Sequence, residues 1–214
     1  MANIHILDGL NSFDIIYYIN LAHRTDRNEH IINELAKTNI SKEKINRIEA
    51  VYIEHFGILG CAKSHILALE KFIESKCDTC IIFEDDFMFT EEQNEVNKLI
   101  ESFLTNIHSY DVFMLSCNLF KYDETNITNI KKIIDGQTLS GYCVTKQFAP
   151  KLLYNFKESV NILECHNIKI HDFCFDIYMK RLQPFSNWYC LEPRLGKQMK
   201  SYSDIEKVET DYGC

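Results

Sequence analysis

Three consecutive carboxylates, Glu84, Asp85 and Asp86, follow the apolar run 81–83. The run is rich in β-forming residues and predicts a buried strand. Neighbouring carboxylates repel one another unless a cation or several hydrogen-bond donors hold them together. Because ligands usually bind at the carboxyl ends of strands in an α/β sheet, the triplet suits a hard divalent ion, Mg²⁺ or Mn²⁺. The alternative is an acidic turn that caps the next helix.

Arg24 and Arg27 form a second candidate site near the start of the chain. They separate a predicted strand at 15–19 from a predicted helix, whose apolar face consists of Ile31, Ile32, Leu35 and Ala36. Backbone N–H groups and the helix dipole favour anions at such a junction. The two arginines therefore predict an anion site, and solvated surface cations are the alternative.

The segment 60–65 is predicted to open a helix, with Lys63, Ser64 and His65 in its first turns. The dipole does not favour a cation at the amino end of a helix, so Lys63 indicates an anionic ligand there. A histidine such as His65 is, taken alone, more often structural than a ligand.

Asp172 and Asp176 form a third candidate site, because they lie four residues apart in a predicted helix and so on one of its faces. Like charges at this spacing destabilise a helix slightly unless they have a function or point into water. Exposed helix acids are the alternative interpretation.

The elements that position these residues alternate between strand and helix. Strands are predicted at 15–19, 47–51, 79–83, 111–115, 140–145 and 188–191, and helical patterns lie between them. This order predicts an α/β sandwich with a largely parallel sheet. The polar stretch 119–135 is expected to form a variable loop or an edge hairpin, and Pro150 suits the first turn of a helix.

Composition limits the possible partners. The chain has 214 residues, 46% of them hydrophobic, with only 7 Gly and 3 Pro, which favours one ordered domain over residues 1–214. A net charge of −8 opposes binding to nucleic acid or to an anionic membrane surface. The nine cysteines are expected to be mostly reduced and structural, since Cys77 and Cys80 form a lone CxxC without a second pair.

No apolar run has the length of a membrane span, and the first residues, which include Asp8 and Asp14, lack the basic start of a signal peptide. We therefore expect a soluble, cytoplasmic protein without an integral membrane segment. The abundance of Asn, Ile and Lys favours an AT-rich genome of bacterial or viral origin.

Several motifs follow one another between about residue 14 and residue 206. They are Tyr18-Ile19-Asn20-Leu21 with Arg24, Asp26 and Arg27; Gly60-Cys61-Ala62-Lys63-Ser64-His65; Ile82-Phe83-Glu84-Asp85-Asp86; Gly141-Tyr142; Asp172 with Asp176; and Gln198 followed by Ser203-Asp204-Ile205. In these motifs the chain resembles glycosyltransferase family 25, the lipopolysaccharide β-galactosyltransferases and collagen hydroxylysine galactosyltransferases. Phe83 replaces the usual Leu of the family, and Lys63 occupies a position that is more often small or hydrophobic.

The resemblance implies a GT-A type fold, a UDP-sugar donor, a divalent metal ion and inversion at the anomeric carbon. It assigns Asp86, with Glu84 or Asp85, to a Mn²⁺ or Mg²⁺ ion that bridges the diphosphate. The residues expected to bind the nucleotide sugar are Asn20, Leu21, Arg24, Arg27, Ser64, His65 and Asp85. The expected base is Asp172, with Asp176 second.

The acceptor is expected to be a glycan, a glycolipid or a protein hydroxyl. One alternative is a catalytically weak nucleotide-sugar or glycan binding module of the same fold. Another is a metal-dependent nucleotidyl- or phosphotransferase, which the absence of a GxxxxGK[ST] loop disfavours.

Overall fold

The computed structural model describes residues 7–202, 208–210 and 213. The strands of this part are β1 Ile15–Asn20, β2 Ile45–Glu49, β3 Thr79–Glu84, β4 Phe87–Phe89, β5 Val112–Met114, β6 Asn118–Glu124, β7 Ile130–Gln137, β8 Gly141–Thr145, β9 Trp188–Leu191, β10 Gly196–Gln198, β11 Ser201–Tyr202 and β12 Glu209–Thr210. The α-helices are α1 Thr25–Ala36, α2 Gly57–Glu74, α3 Gln93–Asn106, α4 Ala149–His166 and α5 Phe175–Tyr178. Short 3₁₀ helices occupy Gly9–Ser12, Lys42–Lys44, His171–Phe173 and Met179–Phe185.

Eight of the strands form one sheet in the order β2-β1-β3-β8-β5-β9-β7-β6. Six of them run in one direction, whereas β7 and β8 run in the opposite direction. The predicted α/β fold with a mainly parallel sheet is therefore confirmed. The pairs β4 with β10 and β11 with β12 form two smaller sheets.

Helices cover both faces of the large sheet, because successive side chains of a strand point to opposite faces. On β1, Tyr17 and Ile19 belong to the hydrophobic cluster that includes α2 and α4. Ile16 and Tyr18 belong to the opposite cluster, which includes α1 and α3. The molecule is thus a three-layer α/β/α sandwich.

A buried aromatic ring fixes the turn that follows β3. Phe87, directly after the acidic triplet, is fully buried. A Cβ atom at Gly141 would lie 2.6 Å from its ring, and one at Gly196 would lie 2.1 Å away. Because both neighbours are glycines, the ring fits between them and holds the acidic turn against the sheet.

Several local predictions are confirmed. β1, β3 and β9 match the predicted strands within one residue, and Pro150 lies in the first turn of α4. The polar stretch after β5 forms the edge hairpin of β6 and β7. Among the described residues, no helix has both the length and the apolar character that are needed to cross a membrane.

Two helix predictions are wrong in detail. On α1, Ile32 and Ala36 are exposed, whereas Glu34 is buried and accepts a 3.1 Å hydrogen bond from the Phe89 backbone. Helix α2 begins at Gly57 and not at Gly60. Gly60 serves packing, since a Cβ atom there would lie 2.4 Å from the Val51 carbonyl oxygen.

Candidate active site

A cavity of about 450 Å³ opens at the carboxyl ends of β1 and β3. Nine of the predicted site residues lie in its wall: Asn20, Leu21, Arg24, Arg27, Ser64, Glu84, Asp85, Asp86 and Asp176. They come from β1, α1, α2, β3 and α5, so the fold brings together residues that are far apart in sequence. His65 and Asp172 do not belong to this wall.

Asp85 is held by the end of the neighbouring strand. β1 and β3 are parallel, with Ile19 opposite Glu84, so Asn20 comes beside Asp85. The Asn20 amide donates a 2.7 Å hydrogen bond to Asp85 Oδ2, and Arg27 Nη1 donates one of 3.1 Å to Oδ1. Burial raises the pKa of Asp85, while the Arg27 charge and these hydrogen bonds oppose the shift.

Asp86 has the more strongly perturbed carboxyl group. Its Oδ2 lies 3.0 Å from Arg27 Nη1, and its Oδ1 lies 3.4 Å from the Gln198 amide nitrogen. Burial, together with the nearby charge of Glu84, raises the pKa of Asp86 to about 7. Asp85 and Asp86 thus contact one guanidinium, and Glu84 adds a third negative charge nearby. The excess negative charge is what a divalent cation would neutralise.

Glu84 points to the other side of the turn. Its Oε1 is 3.1 Å from His65 Nε2 and 3.4 Å from the Cys61 thiol, and its Oε2 accepts a 3.1 Å hydrogen bond from Gln198. Burial acts to raise the pKa of Glu84, but the hydrogen bond and charge of His65, together with Cys61 and Arg27, outweigh it and lower that pKa.

The two arginines also bind the carboxyl-terminal segment. Arg27 Nη2 donates hydrogen bonds to Ser201 Oγ at 2.7 Å and to the Tyr202 carbonyl at 3.1 Å, and Arg24 Nη1 reaches the same carbonyl at 3.1 Å. Arg24 also pairs with Asp26 at 2.8 Å. The predicted motif residues Ser203, Asp204 and Ile205 lie outside the described residues.

Two buried polar atoms in the cavity wall have no hydrogen-bond partner among the described residues. They are Asn20 Oδ1, an acceptor, and Arg27 Nε, a donor. Because unpaired buried polar atoms are costly, such atoms at a cavity wall indicate a polar ligand.

On the part of the wall that α5 contributes, Asp176 is held by one neutral partner. It lies on α5, and the Gln137 amide of β7 donates a 3.1 Å hydrogen bond to its Oδ2. Burial raises the pKa of Asp176 and outweighs the opposing effect of Gln137. A half-buried carboxylate with a raised pKa is suited to accept a proton.

Asp172 does not share this environment. The prediction that Asp172 and Asp176 lie on one helical face is wrong, because the extended backbone of Cys174 separates a 3₁₀ turn from α5. The Asp172 side chain is 87% exposed and pairs with His171 at 3.3 Å. Of the two predicted bases, only Asp176 reaches the cavity.

The comparison with known families identifies the chain. It matches glycosyltransferase family 25, described as an LPS biosynthesis protein family, over residues 55–167, which is more than half of its length. The chain belongs to glycosyltransferase family 25. Glycosyl transfer is therefore the chemistry of this enzyme, and the resemblance that its motifs indicate is confirmed.

Two solved structures have a similar chain path. A197 from STIV aligns at 15% identity with a TM-score of 0.49, over 92% of this chain and 95% of that one. A glycosyltransferase involved in the glycosylation of the major capsid of PBCV-1 aligns at 13% identity with a TM-score of 0.48, over 90% of this chain and 95% of that one. No curated protein sequence matches the chain.

The family 25 match contains the segment 60–65. The side chains of Lys63, Ser64 and His65 contact protein groups. Ser64 Oγ accepts from the Val51 N–H at 2.8 Å and donates to the Gly60 carbonyl at 2.7 Å. Lys63 Nζ lies 2.5 Å from Glu164, so its position needs no anionic ligand. His65 is fully buried behind the wall and contacts Glu84.

Three residues were not predicted as site residues. Gln137 holds Asp176, Gln198 links Glu84 to Asp86, and Cys61 contacts Glu84. Cys61 carried a usable signal, because it precedes His65 by four residues and so lies on the same helical face. Gln137 lies in a hairpin strand, and nothing in its local sequence marks it.

Proposed function

We propose that this family 25 enzyme is a metal-dependent, inverting hexosyltransferase of the GT-A type. Its donor is a UDP-sugar, with galactose or glucose as the hexose, and its acceptor is a hydroxyl group of a glycan, a glycolipid or a protein. One observation carries the proposal: the acidic triplet and Asp176, which are far apart in sequence, line the same cavity. A donor and an acceptor would meet between them.

The acidic wall supports a Mn²⁺ or Mg²⁺ ion. Asp86 and Glu84 would hold it. Their carboxylates share the Gln198 amide as a hydrogen-bond donor, and this amide carries no charge to neutralise them. Such an ion supplies the positive charge that stabilises a departing nucleoside diphosphate. The raised pKa of Asp86 supports this assignment, because burial and then the nearby charge of Glu84 disfavour its ionised form, which a cation would stabilise.

The β1 end supports nucleotide binding. Asn20 Oδ1 and Arg27 Nε are buried and without partners among the described residues, and Leu21 and Arg24 adjoin them in the wall. Asp85, which is bound by both Asn20 and Arg27, fixes the orientation of these two side chains. We assign this part of the cavity to the nucleotide.

Asp176 is our candidate for the base. In an inverting transfer the acceptor oxygen forms a bond to the anomeric carbon while the bond from that carbon to the diphosphate oxygen breaks. The acceptor hydroxyl gives its proton to a carboxylate within hydrogen-bond reach. Asp176 is half-buried in the wall, whereas Asp172 is exposed outside it.

A donor panel tests the proposal. Purified protein is incubated with UDP-, GDP- and dTDP-sugars, with Mn²⁺ or with EDTA, and release of the nucleoside diphosphate is measured without and with oligosaccharide acceptors. We expect release from a UDP-hexose only with the metal ion, and faster release with a suitable acceptor. Equal release in EDTA, or release from GDP- or dTDP-sugars only, would contradict the proposal.

A further inference from the structure

A second cluster of possible metal ligands lies behind the acidic triplet. Cys61 and His65 are four residues apart on α2 and project from one helical face. Glu84 at the end of β3 points its Oε1 toward both of them. The three ligand atoms, Cys61 Sγ, His65 Nε2 and Glu84 Oε1, all lie within 4.8 Å of one another.

Their spacing is close to that of a tetrahedral zinc site. Zinc bonds of about 2.3 Å to sulfur and about 2.0–2.1 Å to nitrogen or oxygen place neighbouring ligand atoms about 3.4–3.6 Å apart. Glu84 Oε1 is 3.1 Å from His65 Nε2 and 3.4 Å from Cys61 Sγ. Side-chain movements of a few tenths of an ångström at Glu84 and His65 would match the two distances.

The surroundings supply the other features of a metal site. His65 Nδ1 is 3.2 Å from the hydroxyl of the fully buried Tyr142, which fixes the ring as outer partners of ligating histidines do. Cys61 and Glu84 line the cavity, which gives an ion access from solvent. One thiolate and one carboxylate would balance the two charges of the ion.

We propose that Cys61, His65 and Glu84 form a binding site for a thiophilic divalent cation, with Zn²⁺ as the best fit. The ion coordinates Cys61 Sγ, His65 Nε2 and Glu84 Oε1, and a water molecule from the cavity takes the fourth position. Binding displaces the thiol proton of Cys61, which leaves to solvent, and the proton that His65 Nε2 donates to Glu84, which moves to Nδ1 of a neutral ring or leaves to solvent from a charged one. No electron is transferred.

This site differs in chemistry from the hard-cation site that we assign to Asp86 and Glu84. It uses the sulfur and imidazole ligands that zinc prefers, whereas Mg²⁺ and Mn²⁺ prefer oxygen ligands. The two sites would use different oxygens of Glu84: zinc would bind Oε1, which faces His65, and the hard cation would bind Oε2, which shares the Gln198 amide with Asp86. The proposal stands without the transferase assignment, and its test therefore measures metal binding and not sugar transfer.

The test is cobalt and zinc binding by the full-length protein. Co²⁺ is added to reduced, metal-free protein, and the thiolate-to-cobalt charge-transfer absorption is recorded; Zn²⁺ affinity follows from displacement of the cobalt. We expect one equivalent of Co²⁺ with this absorption, its loss in Cys61→Ser, and at least about 100-fold weaker Zn²⁺ binding in that variant.

Two further variants make the result specific. Cys165→Ser, at an exposed cysteine outside the cluster, is the matched control and should bind both ions as the wild type does. Tyr142→Phe keeps all three ligands and should weaken zinc by about 10-fold through loss of the outer hydrogen bond. Absence of the charge-transfer band in the wild type, or its persistence in Cys61→Ser, would overturn the proposal.

Discussion

The two walls of the cavity hold their acids in different ways. On the strand wall, three successive carboxylates are fixed by β3 and share Arg27, Asn20, His65 and Gln198 as partners. On the α5 wall, Asp176 stands on a four-residue helix and receives one hydrogen bond from a neutral amide. The strand wall concentrates several carboxylates, whereas the α5 wall places a single carboxylate beside a neutral amide.

The comparison shows how the local environment gives similar carboxyl groups different pKa values. Burial acts on all four carboxylates, yet the pKa of Glu84 is lowered while the pKa values of Asp85, Asp86 and Asp176 are raised. His65 makes the difference at Glu84, because it acts there through both a hydrogen bond and its charge, whereas at Asp176 only its charge contributes and does not outweigh burial. A cation site and a base can therefore be built from the same residue type.

The largest effect is expected from the strand wall. Asp86→Ala removes a proposed ligand of the metal ion and should lower the transfer rate by about 1,000-fold, a loss of about 4 kcal/mol. Steady-state transfer from the UDP-hexose at saturating Mn²⁺ measures it. Asp123→Ala, at an exposed acid of the edge hairpin, is the control and should be unchanged. A similar loss of rate in both variants would show that the effect is not specific to Asp86.

Asp176→Asn should reduce transfer by about 100-fold, since general base catalysis contributes about 100- to 10,000-fold. The matched variant is Asp172→Asn, because the two acids are four residues apart but only Asp176 lies in the cavity wall. We expect Asp172→Asn to keep the wild-type rate. If Asp172→Asn is the slower enzyme, the distinction between the two acids is wrong.

Asp86→Asn should also change how stability depends on pH. The pKa of Asp86 is about 7 in the folded chain and about 4 in an unfolded one. The bound proton therefore stabilises the wild type fully below about pH 4, and this contribution is lost as the pH rises to about 7. Asparagine lacks this titration.

We expect the free energy of unfolding of Asp86→Asn, relative to the wild type, to rise by about 2 kcal/mol between about pH 5 and about pH 8. Urea unfolding in EDTA measures the difference at each pH. A difference that stays constant over this range would show that Asp86 titrates normally.

The smallest effect is expected at the partner of Asp176. Gln137→Ala removes one hydrogen bond to this carboxylate, which is worth about 1 kcal/mol, and should lower the transfer rate by about 5- to 10-fold. Because Gln137 lowers the pKa of Asp176, the acidic limb of the pH–rate profile should move to higher pH in the variant. An unshifted limb would mean that Asp176 is not the titrating base.

The same contrast explains what the sequence could predict. The strand wall was predictable because Glu84, Asp85 and Asp86 are contiguous and directly follow an apolar strand. Arg27 was found because β1 is equally clear and a helix follows it, whereas Asn20 was expected from the family motif. The structure places both beside Asp85. Such local patterns determine where a parallel strand ends.

The α5 wall depends on features that leave no local signal. Spacing alone could not separate Asp172 from Asp176, because the break at Cys174 comes from tertiary packing of a short segment. Gln137 reaches the cavity through pairing of the edge hairpin. The contacts of Glu84 with Cys61 and His65 depend on the distance between α2 and β3. The periodicity of the sequence does not determine that distance.

The most direct measurement is UDP binding by calorimetry, with Mn²⁺ and with EDTA, to the wild type and to Asp86→Asn. We predict clear UDP binding to the wild type with Mn²⁺, and binding at least about 30-fold weaker when either the ion or the Asp86 carboxylate is absent. Equal affinity under all of these conditions would contradict a metal and diphosphate site at the acidic triplet.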